Sequence, residues 1–338
     1  MIPAAAWPAA FAVPGPPDAL ACAVALLAAL GWDRWAGEPP ARWHPVVWMG
    51  RALAACERLL PSAARANGWH FTAGALAWCG LAALVSIAAV AVQALLWRAL
   101  PAPLAALALG LALKPMLAWR MLHDEVAAVE AGLSRSLDEG RARLARLVSR
   151  DVHALDAVQV RESAIESLAE NLNDSVVAPL FWFLLLGLPG AALYRFANTA
   201  DAMWGYRTVR RGRDWEWAGK WAARADDALS WLPARIAAAL LMAAGRCGRW
   251  RALRAESRRT PSPNGGWPMG AMALALGVRL SKPGAYALHP GGRPAAPADA
   301  ARALECASKA VRAGVALALA ALLSIAAWRI ASGAGAFA

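Results

Sequence analysis

Acidic and amide residues crowd both ends of a bilayer-length apolar run, and this arrangement constrains the chain more than any other feature. Residues 162–207 read ESAIESLAENLNDSVVAPLFWFLLLGLPGAALYRFANTADAMWGYR. Glu170-Asn171 and Asp174 stand on one side, with Asn198, Asp201 and Tyr206-Arg207 on the other; the run between them is broken at Gly187-Leu188-Pro189-Gly190. Polar residues that stop at the edge of such a run mark a site at a membrane interface.

The rest of the chain fits a membrane protein. Of its 338 residues 59% are hydrophobic and only 17% charged, and the mean hydropathy is +0.39. Several runs approach the roughly 20 residues that cross a hydrocarbon core of about 30 Å, and abundant Ala and Gly suit close helix packing in lipid. The net charge of +12 resides in the polar stretches: seven Lys and Arg fall in 120–175, six in 198–227 and twelve in 246–312. That placement fits the positive-inside bias, and no basic module with interleaved aromatics points to nucleic acid. The five scattered cysteines form no C-x-x-C pair and read as small apolar packers. With no basic residue before Arg34 and prolines at 14, 16 and 17, the N-terminus lacks the basic region of a signal peptide, so its first apolar stretch is expected to be retained.

The expected architecture is all-α: one polytopic membrane-embedded domain over 1–338, with four to six membrane segments and cytoplasmic loops at 33–69, 120–175, 198–227 and 246–312. A marginal apolar helix covers 18–32, and the Gly- and Pro-rich stretch 37–51 forms a rigid turn. Segments 70–97 and 103–119 read as a transmembrane hairpin with Trp97 and Trp119 at its interfaces, and Lys114 is expected to snorkel. Residues 120–174 have a helical pattern, with Leu155, Val158, Ile165, Leu168 and Leu172 as the apolar face. Glu162, Glu166, Glu170 and Asp174 recur every four residues and drift off that face. If 176–196 and 228–245 each crossed once, the basic 198–227 stretch would lie outside; a re-entrant hairpin at Gly187–Gly190, with 228–245 not crossing, keeps all polar clusters on one side. A last membrane helix covers 313–330.

Glu170 and Asp174 lie one helical turn apart, a spacing over which two carboxylates can share a magnesium ion with phosphates. Spacing alone favours a solvated acidic face or N-terminal capping of the membrane segment over the metal. Asn198 and Asp201 share a helix face and suit either ligand binding or interfacial capping. Of Asp226-Asp227, one fits an N-cap, leaving the other free. Ser262-Pro-Asn264-Gly265-Gly266-Trp-Pro268 is a glycine turn feeding a helix N-terminus, a natural anion site. His44, before Pro45, suits a base, a ligand or a structural hydrogen bond. No Walker, H-E-x-x-H, G-x-S-x-G or dinucleotide fingerprint is present.

Together these stretches resemble the CobD/CbiB family, the adenosylcobinamide-phosphate synthases of cobalamin biosynthesis. The resemblance rests on DRWAGEPP with HPV and MGR (33–51), SRD (149–151), AENLNDSVVAPLFW (169–182), NTADAMWGYR (198–207), ARADD with LPAR (223–235) and SPNGGWP (262–268). Two positions depart from the family pattern: Ser281-Lys282-Pro283 stands where two glycines usually precede the proline, and Ser149 where glycine is common.

The resemblance implies an integral enzyme of the cell (inner) membrane with its site on the cytoplasmic face. Its reaction would join the corrinoid adenosylcobyric acid to aminopropanol or its O-phosphate by an amide bond, with ATP and magnesium. On that reading Glu170, Asp174 and Asp201 hold the metal and nucleotide phosphates. Arg150, Arg207, Arg235, Asn171, Asn198, Tyr206 and the Ser262, Asn264, Gly265 and Gly266 turn bind substrate or nucleotide, and Asp226, Asp227 or His44 is the base. Membrane lipid is the expected surrounding partner, and the oligomeric state stays open. The competing reading is a non-enzymatic sensor or transporter on the same scaffold.

Overall fold

The structure, a computed structural model, describes residues 18–60, 67–210 and 213–332; the prolines at 14, 16 and 17 and parts of the 33–69 and 198–227 stretches lie outside the described residues. The chain is an all-α polytopic membrane protein. Four helical stretches among the described residues are long and apolar enough to cross a bilayer, Asn67–Ala99, Ala102–Leu133, Trp215–Ala244 and Pro297–Ala331.

Helix α1 (Ala19–Trp35) begins at Asp18, whose carboxylate accepts the Leu20 N–H, and α2 (Pro45–Glu57) begins at His44. The 33-residue α3 (Asn67–Ala99) and α4 (Ala102–Leu113) form the expected hairpin. Gly110 lets α4 lie on α1: a Cβ there would fall 2.5 Å from the Ala25 carbonyl oxygen. Lys114 does not snorkel. Pro115 and a 3-10 turn at Lys114–Met116 end α4 and fold the lysine inward, where its ammonium lies 3.1 Å from Asp33 and 2.5 Å from Glu38. The other Asp33 oxygen accepts the Arg120 N–H (2.9 Å), tying the start of α5 (Trp119–Leu133) to the end of α1.

After α6 (Leu137–Leu144), an Asp156–Gln159 capping box opens α7 (Ala157–Leu172). Residues 120–175 are mostly helix, as their pattern indicates. Every residue from Arg161 to Ala169 is buried, so the acidic stripe of α7 is not a solvated face. The helix widens into a π-turn, Asn173–Val177, and continues as α8 (Ala178–Leu186). Pro179 lies just beyond that turn. Lacking an N–H, it cannot bond the carbonyl of Ser175 four residues back, and that oxygen accepts the Ala118 N–H instead (3.1 Å).

At Gly187 the chain reverses, and α9 (Leu188–Trp204) packs back along α8. The helical hairpin expected from Gly187-Leu188-Pro189-Gly190 is thus present. Its tip rests on Gln93, a buried polar residue of the largely apolar α3, whose Oε1 accepts the Leu188 N–H (2.9 Å).

A strand pair, β1 (Val209–Arg210) with β2 (Arg213–Asp214), and a short α10 (Trp215–Ala218) lead into α11 (Lys220–Ala244). Counted from Trp215, this stretch is 30 residues long and qualifies as a span, whereas the sequence reading had 228–245 not crossing. Pro233 frees the Leu229 carbonyl within α11, and the Trp182 indole N–H donates to it (3.0 Å). After α12 (Trp250–Glu256), α13 (Gly266–Leu276) and the hairpin β3 (Leu280–Lys282) with β4 (Tyr286–Leu288), the described residues end with α14 (Pro297–Ala331).

Gly187 has φ 70° and ψ −157°, a backbone region essentially restricted to glycine. A Cβ there would also fall 2.5 Å from the Gln93 Oε1. Gly187→Ala is expected to cost about 2 kcal/mol or more, read as a drop of several degrees in the unfolding midpoint of detergent-solubilised protein. An unchanged midpoint would contradict this hairpin geometry.

Candidate functional site

Helix α7 carries a buried column of carboxylates, and each buried charge needs a partner. Glu162, fully buried, accepts from the backbone N–H of Ser281 (3.1 Å) and from its hydroxyl, and pairs with Arg279 (3.4 Å). One turn on, Glu166 accepts from the Tyr286 hydroxyl and faces Arg150 (3.5 Å). Two carboxylates thus pin the β3–β4 hairpin to α7. Glu170, another turn along, has no hydrogen-bond donor among the described residues. Burial pushes its carboxyl up to about 7, and the neighbouring Asp174 and Glu166 add to the rise.

Glu170 marks the edge of a 430 Å³ cavity. Asp174 enters it from the π-turn, Asn198 and Asp201 from α9, Asp226, Asp227 and Ser230 from α11, and Ser262, Asn264 and Gly265 from the turn before α13; exposed Arg207 is at its mouth. π-turns inside α-helices occur often at functional sites, and this one sets Asp174 within a web of donors. Its Oδ1 accepts from Asn173 Nδ2 (2.8 Å) and the Tyr194 hydroxyl (3.3 Å), and that hydroxyl also meets the Ser230 hydroxyl (3.0 Å). Arg195 donates to the Asp174 carbonyl (3.0 Å) and to Asn198 Oδ1 (3.4 Å). With its oxygen so engaged, Asn198 turns its amide NH2 toward Asp174 and Asp226. The Oδ1 of Asp226 is buried without a hydrogen-bond partner.

The cavity gathers Glu170, Asp174, Asn198, Asp201, Arg207, Asp226, Asp227, Ser262, Asn264 and Gly265 of the sequence-predicted residues. Other candidates lie elsewhere. Arg150 and Asn171 line a separate pocket beside Glu170. Arg235 stacks between Trp231 and Trp267 and donates to Asn264 Oδ1 (2.5 Å) and the Pro263 carbonyl (3.1 Å), bracing the turn; Asn264 in turn donates to the Asp227 carbonyl (2.7 Å). Tyr206 packs against the core outside the cavity. His44 accepts the Val46 N–H (3.3 Å) as the cap of α2 and bonds Glu38 (3.1 Å). Burial acts to raise the Glu38 carboxyl, yet its bonds from His44 and Lys114 hold it below the ordinary value.

The glycine turn differs from a ready anion cradle. The N–H groups of Asn264 and Gly265 already donate to the Ser262 hydroxyl (3.2 and 3.1 Å), so an anion binding there must displace it. Gly266, buried, opens α13. Gly265 serves the acid: a Cβ on it would fall 3.2 Å from Glu170 Oε1. Sequence reading missed Asn173, Tyr194, Arg195 and Ser230. Arg195, an ionisable residue inside an apolar stretch, was the available signal.

Among the described residues no group of three or more His, Cys, Asp or Glu is placed to hold an ion by itself. Glu170, Asp174 and Asp201 therefore line one cavity without forming a complete coordination shell. The oxygen-rich donor set and the orphaned Asp226 Oδ1 nevertheless fit magnesium, which takes one or two carboxylates and completes its octahedron with water and phosphate oxygens.

Because Glu170 titrates near 7 in the fold against an ordinary 4.5, the folded protein holds its proton more tightly than the unfolded chain, and stability falls as pH rises between those values. Glu170→Gln removes this loss. Its stability relative to the wild type, read from unfolding midpoints, should rise more at pH 8 than at pH 4.5, by at most about 3 kcal/mol. A pH-independent difference would show that Glu170 is not held protonated.

The CobD/Cbib protein family model matches residues 26–327. The chain is 41% identical over 270 residues to the probable cobalamin biosynthesis protein CobD of Methanothermobacter thermautotrophicus, covering 78% of this chain and 85% of the relative. It is 42% identical over 261 residues to the cobalamin biosynthesis protein CobD of Chromobacterium violaceum (75% and 79% covered) and 38% identical over 305 residues to that of Rhodobacter capsulatus (83% and 91%). No solved structure matches the chain. With a family match running through every element that builds the cavity, the chain belongs to the CobD/CbiB family.

Proposed function

We propose that this chain is a membrane enzyme of cobalamin biosynthesis that forms an amide bond between a corrinoid carboxylate, that of adenosylcobyric acid, and aminopropanol or its O-phosphate, using ATP and magnesium. One observation carries the reading: five carboxylates from three separate stretches meet Asn198, Arg207 and a helix-opening turn in a single cavity. Such a collection of like charges is costly unless cations or ammonium groups enter it.

A carboxylate and an ammonium do not condense in water at neutral pH, because hydroxide is a poor leaving group and the amine is protonated. ATP supplies the activation by converting a carboxylate oxygen into a phosphate leaving group. One or two of Glu170, Asp174 and Asp201 would hold magnesium, which neutralises phosphate charge. Arg207 at the mouth adds a planar donor fork suited to phosphate oxygens. The incoming ammonium enters among carboxylates and gives up a proton to Asp226 or Asp227. Asp226 suits that work because its buried Oδ1 has no other hydrogen-bond partner. His44 is engaged with Glu38 and Val46 and is a poorer base. In this reading the cavity opens to the cytoplasm, on the side of the arginine-rich 246–312 stretch that supplies its glycine turn.

Purified protein in detergent, given adenosylcobyric acid, aminopropanol phosphate and MgATP, should form the amide and consume ATP stoichiometrically. Asp201→Asn should lower turnover at least 100-fold while leaving the unfolding midpoint within a few degrees. Corrinoid binding without any ATP-dependent amide formation would instead favour a sensor or transporter.

A further inference from the structure

Beside the acidic cavity lies a second, smaller pocket of 140 Å³, lined by Arg150, Ser163, Glu166, Ser167, Asn171 and Lys282, with Glu170 as the wall shared by both. Its polar character differs from that of its neighbour. Arg150 approaches from the segment before α7 and spends one nitrogen, Nη2, on the Ser163 hydroxyl (2.6 Å) and Glu166 (3.5 Å). Its Nε and Nη1 are buried and have no hydrogen-bond partner. A guanidinium with two unpaired buried N–H groups carries an unmet demand for acceptors. Lys282, on the edge of the β3–β4 hairpin, completes the opposite wall with an ammonium 6.0 Å from the Tyr286 ring centre.

The opposing charges are largely accounted for. Glu166 already accepts from Tyr286 and Arg150. Glu170 faces the pocket only as the wall it shares with the larger cavity. Two cations, the Ser167 hydroxyl and the Asn171 amide therefore face one small space. Asn171 Nδ2 donates to the Ser167 carbonyl (3.0 Å) and hydroxyl (3.2 Å), which keeps that side of the pocket ordered.

We infer that this pocket is a subsite for a tetrahedral oxyanion of the phosphate-monoester class, held by Arg150 and Lys282, separate from the carboxylate cavity but opening beside it across Glu170. Arg150 meets the oxygens with its planar fork, and Lys282 acts as a mobile point charge carried by the hairpin. The inference deepens the proposed amide-forming reading, because a small substrate phosphate seated here lies next to the cavity that receives the amine. The same chemistry also fits a terminal nucleotide phosphate. Lys282 is the residue the subsite adds to the machinery, and its hairpin is fixed on α7 by Glu162 and Glu166 rather than by the lysine itself.

The test is direct binding to the full-length protein in detergent, with inorganic phosphate, phosphoethanolamine, ethanolamine and ADP without metal as probes, followed by phosphorus NMR line broadening and titration calorimetry. Phosphate and phosphoethanolamine should bind, ethanolamine should bind at least tenfold more weakly than its phosphate ester, and Lys282→Gln should weaken phosphate binding at least tenfold, with Lys282→Arg restoring most of it. Competition by ADP against phosphoethanolamine would assign the subsite to a nucleotide phosphate, and independent binding of the two would assign it to the small monoester; either supports the subsite. Equal phosphate affinity in wild type and Lys282→Gln overturns it, whatever the ligase activity of the variant. Conversely, lysine-dependent phosphate binding in a protein that forms no amide overturns the proposed reaction and leaves the subsite in place.

Discussion

Taking carboxylates out of water is the cost around which this fold is built. A buried ionised acid is tolerated only when paired or well supplied with donors, and α7 with the π-turn after it sets four acids at one-turn intervals, Glu162 and Glu166 buried and Glu170 and Asp174 at the edge of the cavity. The solution is supplied from distant parts of the chain. Glu162 and Glu166 draw in the 280–288 hairpin, and Asp174 draws in α9 through Tyr194 and Arg195. Glu170 alone is left short of donors, and it sits where the two polar spaces meet. The same residues that would destabilise an unpaired helix therefore decide which segments gather around it.

A second buried network works in the same way at the other side of α9. Lys114, Asp33 and Glu38 satisfy one another out of water, while His44 and the Arg120 N–H supply the remaining donors. This cluster joins α1, the turn before α2 and the junction of α4 with α5. Removing one member of such a group leaves a charge without a counterpart, which is why its separate parts act as one unit.

Much of the architecture is legible in residue order, since apolar runs of bilayer length and a Gly-Leu-Pro-Gly interruption have few structural solutions. The α3–α4 hairpin and the reversal at Gly187 follow from them, and the polar residues at the two ends of 162–207 do converge. The burial of α7 is not legible in this way. Its acids look solvated because their partners, Arg279, Ser281 and Tyr286, lie well over a hundred residues away and reveal nothing by local spacing. Lys114 misleads for a related reason: a lone lysine near a helix end ordinarily reaches for water, and only the chain path through Pro115 turns it inward. The closed state of the glycine turn depends on where the Ser262 hydroxyl points, a matter of one rotamer.

Pro179 and Pro233 each strand a carbonyl, and in both cases a donor from another segment takes it: the Ala118 N–H for Ser175, the Trp182 indole for Leu229. These two bonds act as datum points for sliding motions. Helices that meet through small apolar side chains can shift along one another at modest cost, but a carbonyl matched to a single donor fixes the height at which they stop. Asp174 lies one residue from the first such point, and Asp227 two residues from the second. The vertical offset between the acids of α7–α8 and those of α11 is thereby set by backbone oxygens, independently of the side chains that face lipid. Membranes of different thickness can then be accommodated by changing the outer apolar residues, while the distances inside the cavity are kept.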